Sequence, residues 1–164
     1  MDNSMDISIA QAKLLANSLR AKIIYQLHET ALTAKQVADK LGESGGNVHY
    51  HIKKLHEGEL LDLVEERKVG GVTEKYYKSK ALWFNSNHRE SLDPALFESD
   101  SSPQSTTLST RFSLSTEEKQ ELNEDIKALV KKWLHKTSVH EDLDVKRQEY
   151  SIGIKIVPTE RIAE

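Results

Sequence analysis

The stretch GNVHYHIKKL, residues 46–55, gathers an asparagine, two histidines, a tyrosine and two lysines. Such a set could ligate a metal, supply a general base, or contact an anion. Periodicity chooses between these. Val48, Ile52 and Leu55 recur at i, i+4 and i+7, so a helix with these three inside is expected. At about 100° per residue from Val48, His49 falls at roughly 100°, Lys53 at roughly 140°, Tyr50 at roughly 200° and Lys54 at roughly 240°, all away from the core. His49 and His51 then diverge by about 160°, whereas a metal pair on one helix needs a spacing of three or four residues. Metal ligation by this pair is excluded. His51, at roughly 300°, lies on the edge of the apolar stripe and is expected to be a packed, hydrogen-bonded structural residue.

What remains is a solvent-facing set: His49, Tyr50, Lys53 and Lys54, with Ser44, Gly45, Gly46 and Asn47 at the helix start. Glycines let a backbone approach a duplex closely, and the free N–H groups of a helix N-terminus suit a phosphate. Asn, Lys and Tyr hydrogen-bond to base edges or phosphates. A merely solvated face would carry similar residues, so the element that presents them matters.

Upstream, Ile9, Leu14, Leu15, Leu19, Ile23, Ile24 and Leu27 keep helical spacing, interrupted at Asn17-Ser18, where Ser18 is expected to cap a second helix. Thr33 is a good cap for a helix over residues 34–41, with Val37, Ala38 and Leu41 inside and Gly42 as its left-handed end. Ser44 opens the next helix after a short turn, and Gly58 stops it. Two short helices joined by a tight glycine-bearing turn are the mark of a helix-turn-helix. LLDLVEERKVGGVTEKYYKS then reads as two strands around Gly70-Gly71, a pair that supplies the positive φ of a hairpin. Helices followed by a hairpin make a winged helix, with the second helix over 44–57 and the wing over 61–79. Arg67, Lys68 and Lys75 stand on the two arms of that hairpin and are expected to straddle one phosphate strand.

Residues 85–110 turn rich in Ser, Asn, Asp and Thr, so a linker is expected over 81–110, with a short helix at 94–98. Beyond it, Ser115 and Glu118 form a capping box for a long helix whose stripe is Leu122, Ile126, Leu129, Val130, Trp133 and Leu134. EYSIGIKIVP alternates Tyr150, Ile152, Ile154 and Ile156 and reads as a strand, as does the flanking TRFSLS. The expected fold class is α+β: a winged helix-turn-helix over 9–80, a linker over 81–110, and a strand-helix-strand region over 111–164.

Composition narrows function. The net charge of −3 does not mark a nucleic-acid binder, but residues 1–80 hold 12 basic and 11 acidic side chains, against 11 and 15 in residues 81–164. Any nucleic-acid contact therefore belongs to the first half and depends on local clustering. There is no cysteine, which excludes disulfides and thiolate-ligated metal. No apolar run reaches the roughly 18 residues of a membrane helix, and MDNSMDIS is unlike a secretory signal, so a cytoplasmic protein is expected. No nucleophile-base motif, phosphate-binding glycine loop or evident acid pair points to an enzyme or a cofactor.

The run LTAKQVADKLGESGGNVHYHIKKLHEGELLDLVEERKVGGVTEKYYKS resembles the DNA-binding domain of ArsR-like winged-helix transcription regulators. VHYHIKKL, the following GELLDLVEE and the wing ending GGVTEKYY carry the likeness, which extends over about residues 11–80. It implies that 44–54 is the recognition helix, that 67–75 is the wing, and that the partner is double-stranded DNA. The thiolate sensors of that family carry cysteines before the turn, and TAKQVADKL has none. Others bind metal through the C-terminal helix, where this chain offers His135, His140, Glu141 and Asp142. The histidines are five apart, an awkward helical spacing, so no metal is expected; an effector of another kind is left open.

The long helix, with six large apolar residues in its stripe, is expected to pack on its twin, on the first helix, or on both. The reading that follows is a homodimeric, sequence-specific DNA-binding regulator. The alternative is a winged helix used for protein interaction inside a larger assembly, which near-neutral charge favours and the clustered Lys53, Lys54, Arg67, Lys68 and Lys75 disfavour.

Overall fold

The computed structural model describes residues 3–86, 93, 95–98, 105–138 and 145–159. Its elements run β1 (Ser4–Asp6), α1 (Ile9–Leu15), α2 (Ser18–Leu27), β2 (Leu32–Thr33), α3 (Ala34–Leu41), α4 (Gly45–Glu57), β3 (Leu61–Val69), β4 (Val72–Ser79), β5 (Trp83–Asn85), α5 (Ala95–Glu98) and α6 (Thr116–Ser138). The class is α+β, with the helix-turn-helix first, a hairpin behind it and a long helix near the C-terminal end.

Caps fix the helix starts. Ser8 and Gln11 form a capping box on α1, and Thr33 and Gln36 form one on α3. The side chain that caps α2 is Asn17, which accepts from the Arg20 N–H at 3.0 Å, so Ser18 is the first helical residue rather than the cap. Asn and Ser are comparable as caps; here the extended backbone at Asn17 (φ −160°) decides. Glu149, from the far end of the chain, accepts from the Ser18 N–H at 2.9 Å and places a carboxylate at the positive end of α2. Gly42 closes α3 at φ 68°.

The core lies where α2, α3 and α4 meet β3 and β4. Ile23, Leu27, Val37, Val48, Ile52, Leu55, Leu60 and Leu61 are fully buried there, and Tyr77 joins them from β4. α1 closes on the end of α4: a Cβ at Gly58 would meet Leu14 Cδ1 at 2.3 Å, so a larger residue there would require the Leu14 side chain to shift. The Gln11 side chain donates to the Gly58 carbonyl at 2.9 Å across the same junction.

Strands β2, β4 and β3 form an antiparallel sheet in that order, with β4 central. The hairpin pairs Val69 with Val72, and Gly70 and Gly71 take φ of 55° and 84°, the conformation a two-residue hairpin demands. A register shift between Leu63 and Glu65 leaves Val64 as an extra residue on β3.

Two features depart from the sequence reading. Residues 81–86 belong to the packed unit rather than to a linker: Ala81 and Leu82 are buried, and β5 pairs in parallel with β1 in the register Ser4 to Trp83. Asn3 supports the junction, its side chain donating to the Lys80 carbonyl at 3.1 Å. Secondly, residues 105–115 and 145–159 join no ladder among the described residues. A strand requires a neighbouring edge for its N–H and C=O groups, and the alternation in YSIGIKIVP supplies a pattern without supplying that edge. The segment instead runs beside α5: Ser151 donates to the Asp93 carboxylate at 2.8 Å, and Leu96 lies against Gly153.

The capping box on α6 forms as expected, with Ser115 and Glu118 bonding reciprocally at 2.7 and 3.1 Å. α6 runs along α2, with Leu122, Ile126, Val130 and Leu134 half-buried, while Leu129 and Trp133 stay 53% and 52% exposed. The stripe is thus wider than the surface α2 covers.

Candidate nucleic-acid interface

α4 starts at Ser44, whose hydroxyl accepts from the Asn47 N–H at 3.3 Å. Gly45 and Gly46 have nothing within 4 Å of where a Cβ would stand, so this first turn is open to an approaching backbone. Val48, Ile52 and Leu55 anchor the helix with exposures of 0%, 1% and 0%. That anchoring sets the phase, and Asn47, His49, Tyr50 and Lys53 are exposed on the other side.

His51 occupies the expected structural position. Arg20 Nε donates to its Nδ1 at 3.1 Å, and Arg20 also donates to the Leu14 carbonyl at 2.9 Å. One guanidinium therefore ties α4 to the α1–α2 junction. Partial burial, followed by the charge of Arg20, pushes the His51 pKa below the ordinary histidine value, with Glu43 opposing. The neutral imidazole is the form that can accept the Arg20 hydrogen bond.

The outward groups are lightly held. Lys53 and Lys54 approach Glu57 at 3.8 and 3.6 Å, both on exposed surface, where such pairs contribute little and exchange readily. The Lys54 ammonium lies 6.0 Å from the Tyr50 ring centroid, and Asn47 reaches Glu43 at 3.5 Å. Nothing packs these side chains into the core, so they are free to be rearranged by a ligand.

The hairpin divides its cations. Arg67 and Lys68 are adjacent on one strand and must point to opposite faces. Arg67 shares its face with Glu65, Glu74 and Tyr76: it donates two hydrogen bonds to the Glu65 carboxylate, and its guanidinium carbon sits 4.7 Å from the Tyr76 ring centroid. That bidentate pair raises the Arg67 pKa and lowers that of Glu65. Lys75 lies two residues from Tyr77, whose ring meets His56 of α4 at 5.5 Å, so Lys75 and Lys68 belong to the helix-ward face. Lys75 reaches Glu66 at 3.4 Å. Strand alternation thus places Arg67 on the face opposite Lys68 and Lys75, so the three cations expected to straddle one phosphate strand do not share one surface of the hairpin.

The C-terminal residues considered as metal ligands are not brought into a cluster within view. His140, Glu141 and Asp142 lie outside the described residues. His135 is engaged with the Tyr25 hydroxyl, 3.2 Å from its Nδ1. Among the described residues no three His, Asp or Glu side chains are grouped to hold a metal. Chelator treatment is expected to leave duplex affinity unchanged; a tenfold shift on adding or removing zinc, measured by fluorescence anisotropy, would refute this.

The part of the interface that the sequence did not reveal is the Arg20–His51 bridge. Arg20 stands among the polar residues of a helical run, and no local pattern distinguishes it. Among the described residues no helix is long and apolar enough to cross a membrane.

Comparison with known proteins agrees with this geometry over the same elements. No curated protein is significantly similar to the chain. Residues 15–64, spanning α2 through the start of β3, match the family model described as a helix-turn-helix domain. The chain thus carries a helix-turn-helix domain, an architecture of DNA-binding regulators, and the β3–β4 hairpin gives that domain its wing.

Proposed function

We propose that this protein is a homodimeric, sequence-specific DNA-binding transcription regulator of the ArsR-like winged-helix type. α4 enters the major groove, and the wing over 61–79 lies on backbone or minor groove. The observation that carries this reading is the division of α4. Three apolar residues hold it rigidly, while Asn47, His49, Tyr50 and Lys53 have no packing role and Gly45 and Gly46 leave its N-terminus open. Genome-wide recovery of bound DNA is the test. Enrichment of one palindromic motif is expected, and recovery of no motif would defeat the proposal.

The dimer is inferred from α6. Leu129 and Trp133 form an apolar ridge on the side away from α2, and Lys136 covers only one region of the Trp133 ring, 4.3 Å from its centroid. A second α6 packed on this ridge would bury it, and a two-fold pair of recognition helices would then read a palindromic site. The double substitution Leu129→Glu, Trp133→Glu is expected to convert the dimer to monomer in sedimentation without unfolding it, because both residues are exposed in the single chain. An unchanged sedimentation coefficient would remove α6 from the interface.

A second reading has one observation in its favour. The wing surface is charge-balanced, and Val64, Val69 and Val72 are 50%, 54% and 66% exposed on it. That surface suits a protein partner in an assembly. Absence of affinity for any duplex at low salt would select this alternative.

A further inference from the structure

Two segments flank α6, and each alternates like a strand. In residues 108–114 the apolar Leu108, Phe112 and Leu114 fall on one face, with Ser109, Arg111 and Ser113 on the other. In residues 150–156 Tyr150, Ile152, Ile154 and Ile156 share a face, with Ser151, Gly153 and Lys155 opposite. All of these large apolar side chains are exposed, Leu108 at 92% and Ile152 at 83%. Neither segment joins a ladder among the described residues. A row of exposed apolar groups on a strand pattern marks a surface that another strand covers.

The edges of the described sheets do not suit these segments. β3, the open edge beyond β4, exposes Asp62, Glu65, Glu66, Arg67 and Lys68, and a charged edge of this kind resists pairing. β1, β2 and β5 are only two or three residues long, too short to hold either segment.

Position along α6 points to the partner. Tyr25 meets His135 and Glu29 meets Lys131, so α2 and α6 run antiparallel. Glu149, on the Ser18 N–H, therefore stands past the C-terminal end of α6, about one turn beyond Ser138. The other segment leads into the Ser115 cap, so the two are attached at opposite ends of a rod roughly 34 Å long. An antiparallel two-fold pair centred on Leu129 and Trp133 sets the start of one α6 about two turns beyond the end of the other. That is where the segment after Glu149 begins.

We propose that residues 108–114 of one copy pair with residues 150–156 of a second copy, forming one two-stranded ribbon at each end of an antiparallel α6 pair. The pairing rests on the α6 dimer inferred above and specifies what completes it. In each ribbon Leu108, Phe112 and Leu114 of one chain and the isoleucines of the other lie on one side as cross-strand neighbours.

The full chain has no cysteine, so introduced thiols report one site each. Ser113→Cys and Lys155→Cys, both at exposed positions on the polar faces, are made in separate chains with tags of different length. The chains are mixed and treated with a short thiol-specific bis-maleimide. The main covalent product is expected to join one chain of each kind, because like positions stand at opposite ends of the helix pair. Amides of residues 110–114 and 152–156 are expected to exchange about a hundredfold more slowly in the wild type than in the Leu129→Glu, Trp133→Glu variant. Sedimentation of the same samples separates the failures. A dimer that yields no mixed product, or whose amides exchange as fast as the variant's, would strike the strand pairing and leave the α6 dimer standing. A monomer would defeat both. Bridging within a doubly substituted chain, diluted into excess wild type and read by mass, would show that the two segments pair inside one copy and overturn the proposal.

Discussion

Ile52→Ala is expected to cost about 2–5 kcal/mol of stability, against a total of about 5–15 kcal/mol for a domain of this kind. Ile52 is 1% exposed and joins a cluster that draws on α2, α3, α4, β3 and β4. Removing three carbons there forfeits their burial and leaves a cavity that helices fixed by capping boxes and a sheet cannot readily close. Tyr50→Ala is the matched control. Its ring is 53% exposed and meets only the edge of His51, at 5.2 Å, and the Lys54 ammonium, at 6.0 Å. A change within about 0.5 kcal/mol is expected there. Urea unfolding followed by circular dichroism reads both. If Tyr50→Ala proved as damaging as Ile52→Ala, the outward phase of α4 would be wrong, and with it the assignment of the interface.

The second large effect concerns salt. For the proposed dimeric regulator, three phosphates neutralised per protomer, about six per dimer, would give a slope of log affinity against log salt near −5. Lys53, Lys54 and the helix-ward wing lysines, Lys68 and Lys75, are the candidates. Their carboxylate partners stand at 3.4–3.8 Å where the contacts are described, on exposed surface, and a phosphate can displace them at small cost. Arg67 differs: it holds Glu65 with two hydrogen bonds, lies over Tyr76, and is on the other face. Lys75→Ala is therefore expected to reduce the slope by roughly 2 and weaken operator and random duplex alike, whereas Arg67→Ala is expected to change it little. Asn47→Ala and Tyr50→Ala are expected to spare the slope and erode the preference for the operator. Equilibrium titrations on both duplexes across a salt series supply the comparison. A steeper loss for Arg67→Ala than for Lys75→Ala would show that the wing turns its other face to the nucleic acid.

The sequence by itself determined the helix-turn-helix and its phase. Thr33, Gly42 and Ser44 act on their own backbone neighbours, and a spacing of three and four residues fixes which side of one helix is apolar; both are local effects that no distant contact had to supply. Gly70-Gly71 placed the wing for the same reason, since a two-residue hairpin asks for positive φ at both positions. What the sequence left undecided depends on partners far along the chain. The three-residue strand Ser4–Asp6 is too short and polar to show a period, and exists because Trp83–Asn85 lies beside it. The alternation of Tyr150, Ile152, Ile154 and Ile156 is a clear strand pattern, yet among the described residues it joins no ladder, because alternation fixes the faces of a strand without fixing a partner for its N–H and C=O groups. The basic residues of the wing counted as one cluster in the sequence, and strand pleating split them, putting Arg67 beside Glu65 on one face and Lys75 on the face of Tyr77.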